Sequence, residues 1–243
     1  MNDWFEWKGI RSTTYGIHLI SSPSVFFPEQ RGEFVDVPGR SGSLYIPEGD
    51  DVYNDQELSL TCFLDDANDL NTLSKYLAGS GKLTFPSRQG GYYKATCTGT
   101  INLDVIVPGY PHRGCSISFR LSPLFYSYTN PIVTVTQSGT EVLNPGNVRS
   151  KPKITVICSG AVTISINDQE IGIIVPENSN LTDTSLIIDC ESEECLELDE
   201  ESFANRRVVM SDFPTLLPGN NLISWSGDGT VTRIEIDRRV RSR

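Results

Sequence analysis

The chain has 243 residues, enough for one large or two ordinary domains, and at 38% hydrophobic and 21% charged it has a globular rather than a disordered composition. Its formal net charge of -11 argues against broad contact with a phosphate backbone, which needs clustered lysine and arginine. The charge is uneven: residues 1–135 carry 14 acidic and 10 basic side chains, and residues 136–243 carry 17 and 10.

The N-terminus shows no basic region followed by an apolar stretch, and no run approaches membrane-spanning length. The expectation is a protein without a signal peptide or membrane contact, made in a reducing cytoplasm. Its six cysteines (62, 97, 115, 158, 190, 195) sit mostly in apolar alternation, where a free thiol behaves as a small buried hydrophobe.

In chain order, an aromatic-rich start, Trp4-Phe5-Glu6-Trp7-Lys8-Gly9, is followed by Tyr15-Gly16-Ile17. Val35-Asp36-Val37 then runs into Pro38-Gly39-Arg40-Ser41-Gly42, a turn with two glycines suited to positive φ and a proline that pre-sets its first bend. Leu58, Leu60, Cys62 and Leu64 alternate with Glu57, Ser59, Thr61 and Phe63, the period of a half-buried strand. A helix follows: Asp65 or Asp66 can cap it, Leu70, Leu73, Tyr76 and Leu77 form its apolar stripe, and Gly79 fits its stop. Cys115, Ile117, Phe119 and Leu121 alternate with Ser116, Ser118 and Arg120 in a second clear strand.

Pro123 to Pro131 closes this block, Ile132 to Thr136 resumes as a strand, and Gln137 to Pro152 is rich in Ser, Gly, Asn and Pro, which sets a domain boundary near residue 137. Beyond it, strands are expected at 154–158, 162–166, 171–175, 185–190, 196–198, 207–210, 221–225 and 231–236, with Asp228-Gly229 as a hairpin turn. The predicted fold is mainly β: an N-terminal β-sandwich with one α-helix over residues 1–137, and a C-terminal β-sandwich over residues 138–243.

The residues that could carry chemistry lack the patterns it requires. Asp50, Asp51 and Asp55 share one loop, and eight acidic residues with no basic one lie from Asp189 to Glu201. A glycosidase needs two carboxylates facing each other across a cleft, whereas runs in loops repel and stay solvated. The Asp51-x-x-Asn54-Asp55 spacing fails the alternating ligands of a calcium loop. His18 and His112 are the only histidines, without a Gly-x-Ser-x-Gly elbow, and His112 reads as a turn residue. Gly79-Ser80-Gly81-Lys82 follows a helix instead of opening one, so a phosphate loop is not expected. The Cys190–Cys195 spacing suits neither a redox nor a zinc motif. Asn180-Leu181-Thr182 matches a glycosylation acceptor that lacks a secretory context. Trp4, Trp7 and Trp225 suit a core better than sugar stacking. The end, Arg238-Arg239-Val240-Arg241-Ser242-Arg243, reads as a solvated or docking tail. The expectation is therefore no enzyme, with no catalytic, cofactor-binding or metal residues and no cofactor.

The order of Trp4 to Gly9, Tyr15-Gly16-Ile17, Val35 to Leu44, Tyr53-Asn54, the single helix, Asn144-Pro145-Gly146-Asn147, Leu186 to Cys190 and Phe213-Pro214 with Pro218-Gly219-Asn220-Asn221 resembles the distal tail (Dit) proteins of long-tailed bacteriophages. This resemblance spans essentially the whole chain. It implies a ring- or belt-forming N-terminal domain and a galectin-like C-terminal β-sandwich. It further implies a homohexameric hub in the virion's tail tip or baseplate. Such a hub joins the tail tube protein to a tail-associated lysin or fibre protein and can anchor receptor-binding proteins for host adsorption. DNA would pass its channel without sequence-specific contact. A carbohydrate-binding, lectin-like module for host cell-wall sugars stays open as an alternative.

Overall fold

The computed structural model describes residues 3–24, 27–65, 70–99, 102–105, 113–175 and 183–243. They form two compact units, Met1–Tyr128 and Thr129–Ser242. No helix among the described residues is long and apolar enough to cross a membrane.

The first unit contains β1 (Glu6–Trp7), β2 (Ile10–Arg11), β3 (Ile17–Leu19), β4 (Gly32–Val35), β5 (Leu44–Pro47), β6 (Gln56–Leu64), α1 (Leu70–Leu77), β7 (Ser80–Phe85), β8 (Arg88–Cys97), β9 (Asn102–Val105) and β10 (Arg113–Ser127). The main sheet runs β2-β1-β7-β8-β10-β6-β3, with β9 on β10, and β4 and β5 form a separate hairpin. Alternation makes β6 and β10 the spine. They pair over nine residues, from Leu64↔Arg113 to Gln56↔Leu121, and send Leu60, Cys62, Leu64, Ile117, Phe119 and Leu121 into the core. The sheet curls until its ends approach each other: the Leu19 amide on β3 donates to the Asp3 carbonyl, just before β1, at 2.7 Å. Closure of this kind leaves little open edge.

Helix α1 covers the core with Leu73, Tyr76 and Leu77, three of the four residues in the predicted stripe; Asp66 lies outside the described residues. Trp7 anchors the helix. Its ring is fully buried, meets Phe119 edge-on at 5.0 Å, and its indole N–H donates to the Tyr76 carbonyl at 2.9 Å. Gly91 lets β8 approach β10, since a Cβ there would lie 2.1 Å from the Tyr126 carbonyl oxygen.

The second unit contains β11 (Val133–Val135), β12 (Thr140–Asn144), β13 (Lys153–Ser159), β14 (Val162–Ile166), β15 (Gln169–Ile173), β16 (Leu186–Asp189), β17 (Glu194–Leu196), β18 (Val208–Met210), β19 (Gly219–Ser226) and β20 (Thr230–Asp237). They build two sheets, β11-β20-β13-β16-β17 and β12-β19-β14-β15-β18. Ile154, Val156, Ile234 and Ile236 of the first share one core with Ile164, Ile166, Ile171 and Ile223 of the second. This is a sandwich.

Two boundaries differ from expectation. The division falls after Tyr128 rather than near residue 137, because β11 pairs with β20 and so belongs to the second unit. Asp228-Gly229 does make a tight turn, but β19 and β20 lie in different sheets, so the turn arches across the sandwich and closes no hairpin. The Gly229 amide donates to the Ala161 carbonyl at 2.8 Å and fixes that arch.

Trp7→Ala should destabilise the first unit by about 3–5 kcal/mol, through a cavity and an unpaired Tyr76 carbonyl. Denaturant unfolding followed by near-UV signals checks this; a loss below about 1 kcal/mol would contradict the anchoring role.

Candidate functional site

Among the described residues of the first unit, several exposed apolar side chains cluster on the β4–β5 hairpin. Its register pairs Glu33 with Ile46, Phe34 with Tyr45 and Val35 with Leu44. At its tip Gly39 and Gly42 take φ of 81° and 80°, as the Pro-Gly-Arg-Ser-Gly turn requires. Phe34 is 73% exposed, and Val37, Leu44 and Ile46 are also exposed. A two-stranded hairpin alone is marginal in water. Polar ties at its base hold it: Arg31 Nε to Glu48 at 2.5 Å, Tyr45 hydroxyl to the Gln30 carbonyl at 2.8 Å, and Arg31 N–H to the Val52 carbonyl at 2.9 Å. An ordered arm presenting this much apolar surface marks a contact surface.

A second surface lies on the outer face of the main sheet, an open depression of about 500 Å³ lined by Lys82, Tyr92, Lys94, Arg120 and Asp55, among others. Lys82 on β7 stands directly opposite Lys94 on β8. Each ammonium lies over a tyrosine ring, Lys82 over Tyr92 at 4.4 Å and Lys94 over Tyr126 at 4.6 Å, and those two rings stack at 5.5 Å. Like charges directly opposite on a sheet destabilise it, and the cation–π contacts work against that cost. Arg120 adds a third cation, donating from Nε to Asp55 at 2.9 Å. A positive, aromatic face in a chain of net charge -11 suits an acidic partner surface. This face is not foreseen from the sequence. Its signal is the alternation Tyr92-Lys94-Thr96 against Tyr93-Ala95, legible only once β8 is recognised.

The other candidate residues have structural partners. His18 sits between Asp3 (2.8 Å) and Asp65 (3.2 Å) and stacks on Phe63; His112 lies outside the described residues, as does Asn180. Gly79-Ser80-Gly81-Lys82 runs into β7, where the Ser80 hydroxyl meets the Thr96 hydroxyl at 2.7 Å. Asp55 holds Arg120 and Asp51 accepts from the Tyr53 hydroxyl at 3.2 Å, so that loop's carboxylates have separate tasks. Trp7 is core, Trp225 packs against the second core, and the Arg11 guanidinium covers Trp4 at 4.5 Å.

The acidic run from Asp189 to Glu201 departs from the expectation of a solvated, self-repelling loop. Lys151 pairs with Glu193 (3.0 Å), Lys153 with Glu200 (2.8 Å) and Arg207 with Glu197 (2.6 Å). Arg239 grips Asp189 with both terminal nitrogens at 2.6 Å and reaches Glu191 at 3.4 Å. The arginine-rich end is therefore docked: Arg238 also donates to the Leu143 carbonyl and Arg241 to the Arg149 carbonyl, each at 2.8 Å. Partial burial alone would raise the Asp189 carboxyl, but the Arg239 fork and the Ser192 and Glu191 amides outweigh it and hold its pKa at about 2.

Two buried asparagines explain the turn motifs of this unit. Asn144 donates to the Val148 and Leu216 carbonyls, and its side-chain oxygen accepts from the Gly146 amide at 3.0 Å, setting the Asn-Pro-Gly turn. Asn221 donates to the Leu217 and Gly219 carbonyls at 2.9 and 3.0 Å and accepts from the Leu217 amide and the Asn167 side chain. The Pro-Gly-Asn-Asn segment folds around that one side chain.

Fold and surfaces together define a two-unit, antiparallel β protein furnished for contact with other proteins. Residues 145–239 match the family model described as siphovirus-type tail component, C-terminal domain. The fold is similar to the crystal structure of the Dit protein of phage SPP1, described as a paradigm of the hub adsorption apparatus in phages infecting Gram-positive bacteria. The TM-score is 0.74 at 14% identity, covering 96% of this chain and 97% of that one. No curated protein matches the chain by sequence. The resemblance to distal tail proteins, read from the order of turn motifs, is borne out by the family model over the second unit and by the fold along nearly the whole length.

Two outcomes follow for the second unit. Asn221→Ala should cost about 2–3 kcal/mol, since it orphans buried backbone groups, whereas an exposed control such as Asn220→Ala should cost far less; thermal melts distinguish them. For Asp189 the folded pKa lies below the ordinary 3.8. The stability it contributes is complete above about pH 4 and is lost as the pH falls toward 2. Arg239→Ala should flatten that part of the stability–pH curve; an unchanged curve would show that the fork does not set it.

Proposed function

We propose that this protein is a structural, non-catalytic hub at the distal end of a siphophage tail. Six copies form a ring through their first units, below the last ring of the tail tube and above a tail-associated lysin or fibre protein. The second units hold receptor-binding proteins, and DNA passes the channel without sequence-specific contact. What carries this reading is the fold shared with SPP1 Dit over 96% of the chain, joined to the family match over residues 145–239. The contact surfaces support it. An exposed Phe34–Ile46 arm and a Lys82–Lys94 face occur in the same unit, and residues 27–55 carry seven acidic and two basic side chains. One copy thus offers both an acidic apolar arm and a basic socket, which is the requirement of a ring closed by head-to-tail contacts.

The full chain should elute and scatter light at six times its monomer mass; a monodisperse monomer across micromolar concentrations would defeat the hub reading. Purified protein should release no sugar or peptide from bacterial cell walls, and turnover lost on a single Asp or Glu substitution would overturn the non-catalytic role. Lys82→Glu should leave the melting temperature unchanged or raised, because it removes a like-charge pair, while lowering the assembled mass. A Lys82→Glu protein that assembles like the wild type would place the ring contact elsewhere.

A further inference from the structure

The β6–β10 pairing places Cys62 directly opposite Cys115. Cys62 is fully buried and Cys115 nearly so, and the Cys62 thiol donates to the Leu60 carbonyl of its own strand at 3.8 Å. Opposed residues of antiparallel strands have Cα atoms about 4.5–5.5 Å apart, inside the roughly 4.4–6.8 Å that a disulfide spans. Joining these sulfurs needs side-chain rotation and no strand shift. The other cysteines are placed differently. Cys97 faces Phe119, Cys158 faces Val231, and Cys195 faces Ile188, which offsets it from Cys190.

Reactivity separates the pair as well. Burial pushes the Cys190 thiol up to about 12 and Cys195 up to about 11. Of the two opposed thiols, Cys115 is the less enclosed, Cys62 being fully buried. A thiol with a second thiol directly opposite it on the neighbouring strand is the arrangement that oxidants close. On its other side at this point β10 is flanked by the four-residue β9, Cys115 facing Leu103. Local opening of so short a strand would give a small oxidant its path.

We infer that Cys62 and Cys115 are a dithiol that a low-molecular-weight disulfide oxidises to an intramolecular cross-strand disulfide. The Cys115 thiolate attacks one sulfur of the oxidant, forming a mixed disulfide and releasing the first thiolate. The Cys62 thiol then gives up its proton, attacks the Cys115 sulfur and releases the second. Two protein thiols are oxidised, one oxidant disulfide is reduced to two thiols, and the two protein protons end on them. The bond would staple the two longest-paired strands of the first unit, which keep their thiols free while the protein is made in a reducing cytoplasm. A role for the staple outside the cell rests on the tail reading; the chemistry itself does not.

The test treats the purified full chain with oxidised glutathione, blocks remaining thiols with N-ethylmaleimide under denaturing conditions, and maps tryptic peptides. Four of the six cysteines should be labelled, and peptide 41–75 should be linked to peptide 114–120. The melting temperature should rise by several degrees and return with dithiothreitol. Cys62→Ser should abolish the link and leave a mixed disulfide at Cys115; should that variant not fold, the wild-type map decides alone. Six labelled cysteines, a persistent mixed disulfide in the wild type, or a link confined to peptide 154–206 would overturn the proposal. None of these bears on ring mass, so the hub reading stands or falls separately.

Discussion

The indole of Trp7 is the contact on which the first unit depends. It sits on a two-residue strand that could not hold its place through backbone pairing alone. Its ring against Phe119 fastens β1 to the middle of β10, and its N–H on the Tyr76 carbonyl fastens β1 to the end of α1. Three elements distant in sequence are thereby set by one side chain. With β1 fixed, the chain before it reaches β3, and the Asp3–Leu19 hydrogen bond brings the ends of the sheet together. The outer face of that sheet carries Lys82 opposite Lys94, an opposition set by the β7–β8 register.

The second unit is held differently. Its core is aliphatic and needs no aromatic keystone, while its loops are positioned by polar side chains taken out of water. Asn144 and Asn221 are both essentially buried, and each satisfies backbone groups that a turn would otherwise leave unpaired. Arg239 does the same for the acidic run by neutralising Asp189 and Glu191 together. A net charge of -7 over residues 136–243 is thus compatible with a compact sandwich, because part of the repulsion is cancelled locally before any long-range term acts.

Much of this was legible in the sequence, and the omissions share one cause. β6, β13, β14 and β20 follow clean alternation of apolar and polar residues, and each lies within a residue or two of its expected place. β8 escaped because Gly90-Gly91 and the adjoining tyrosines and lysine blur the alternation, although Gly91 is what permits the close approach to β10. β12 escaped because Thr140 to Asn144 is embedded in residues of turn composition. The boundary moved for a related reason: nothing local tells whether Val133–Val135 ends one sheet or begins another, and only its pairing with β20 does. Charge partners are non-local too. The acidic run looks unopposed along the chain because Lys151, Lys153, Arg207 and Arg239 reach it through the fold.

Non-local placement also governs what the surfaces can do. In the isolated first unit, the hairpin leaves Phe34 in water and the main sheet carries two ammonium groups face to face, both at a cost in stability. Each cost falls when an acidic, partly apolar surface covers it, and residues 27–55 are such a surface. Under the proposed hub reading, mutual relief of this kind would favour association of copies. In the ring proposed above, distinct arm and socket patches would make the contact heterologous, ending only where successive copies close on themselves. The number of copies in that proposed ring would be set by the angle between arm and socket within each first unit.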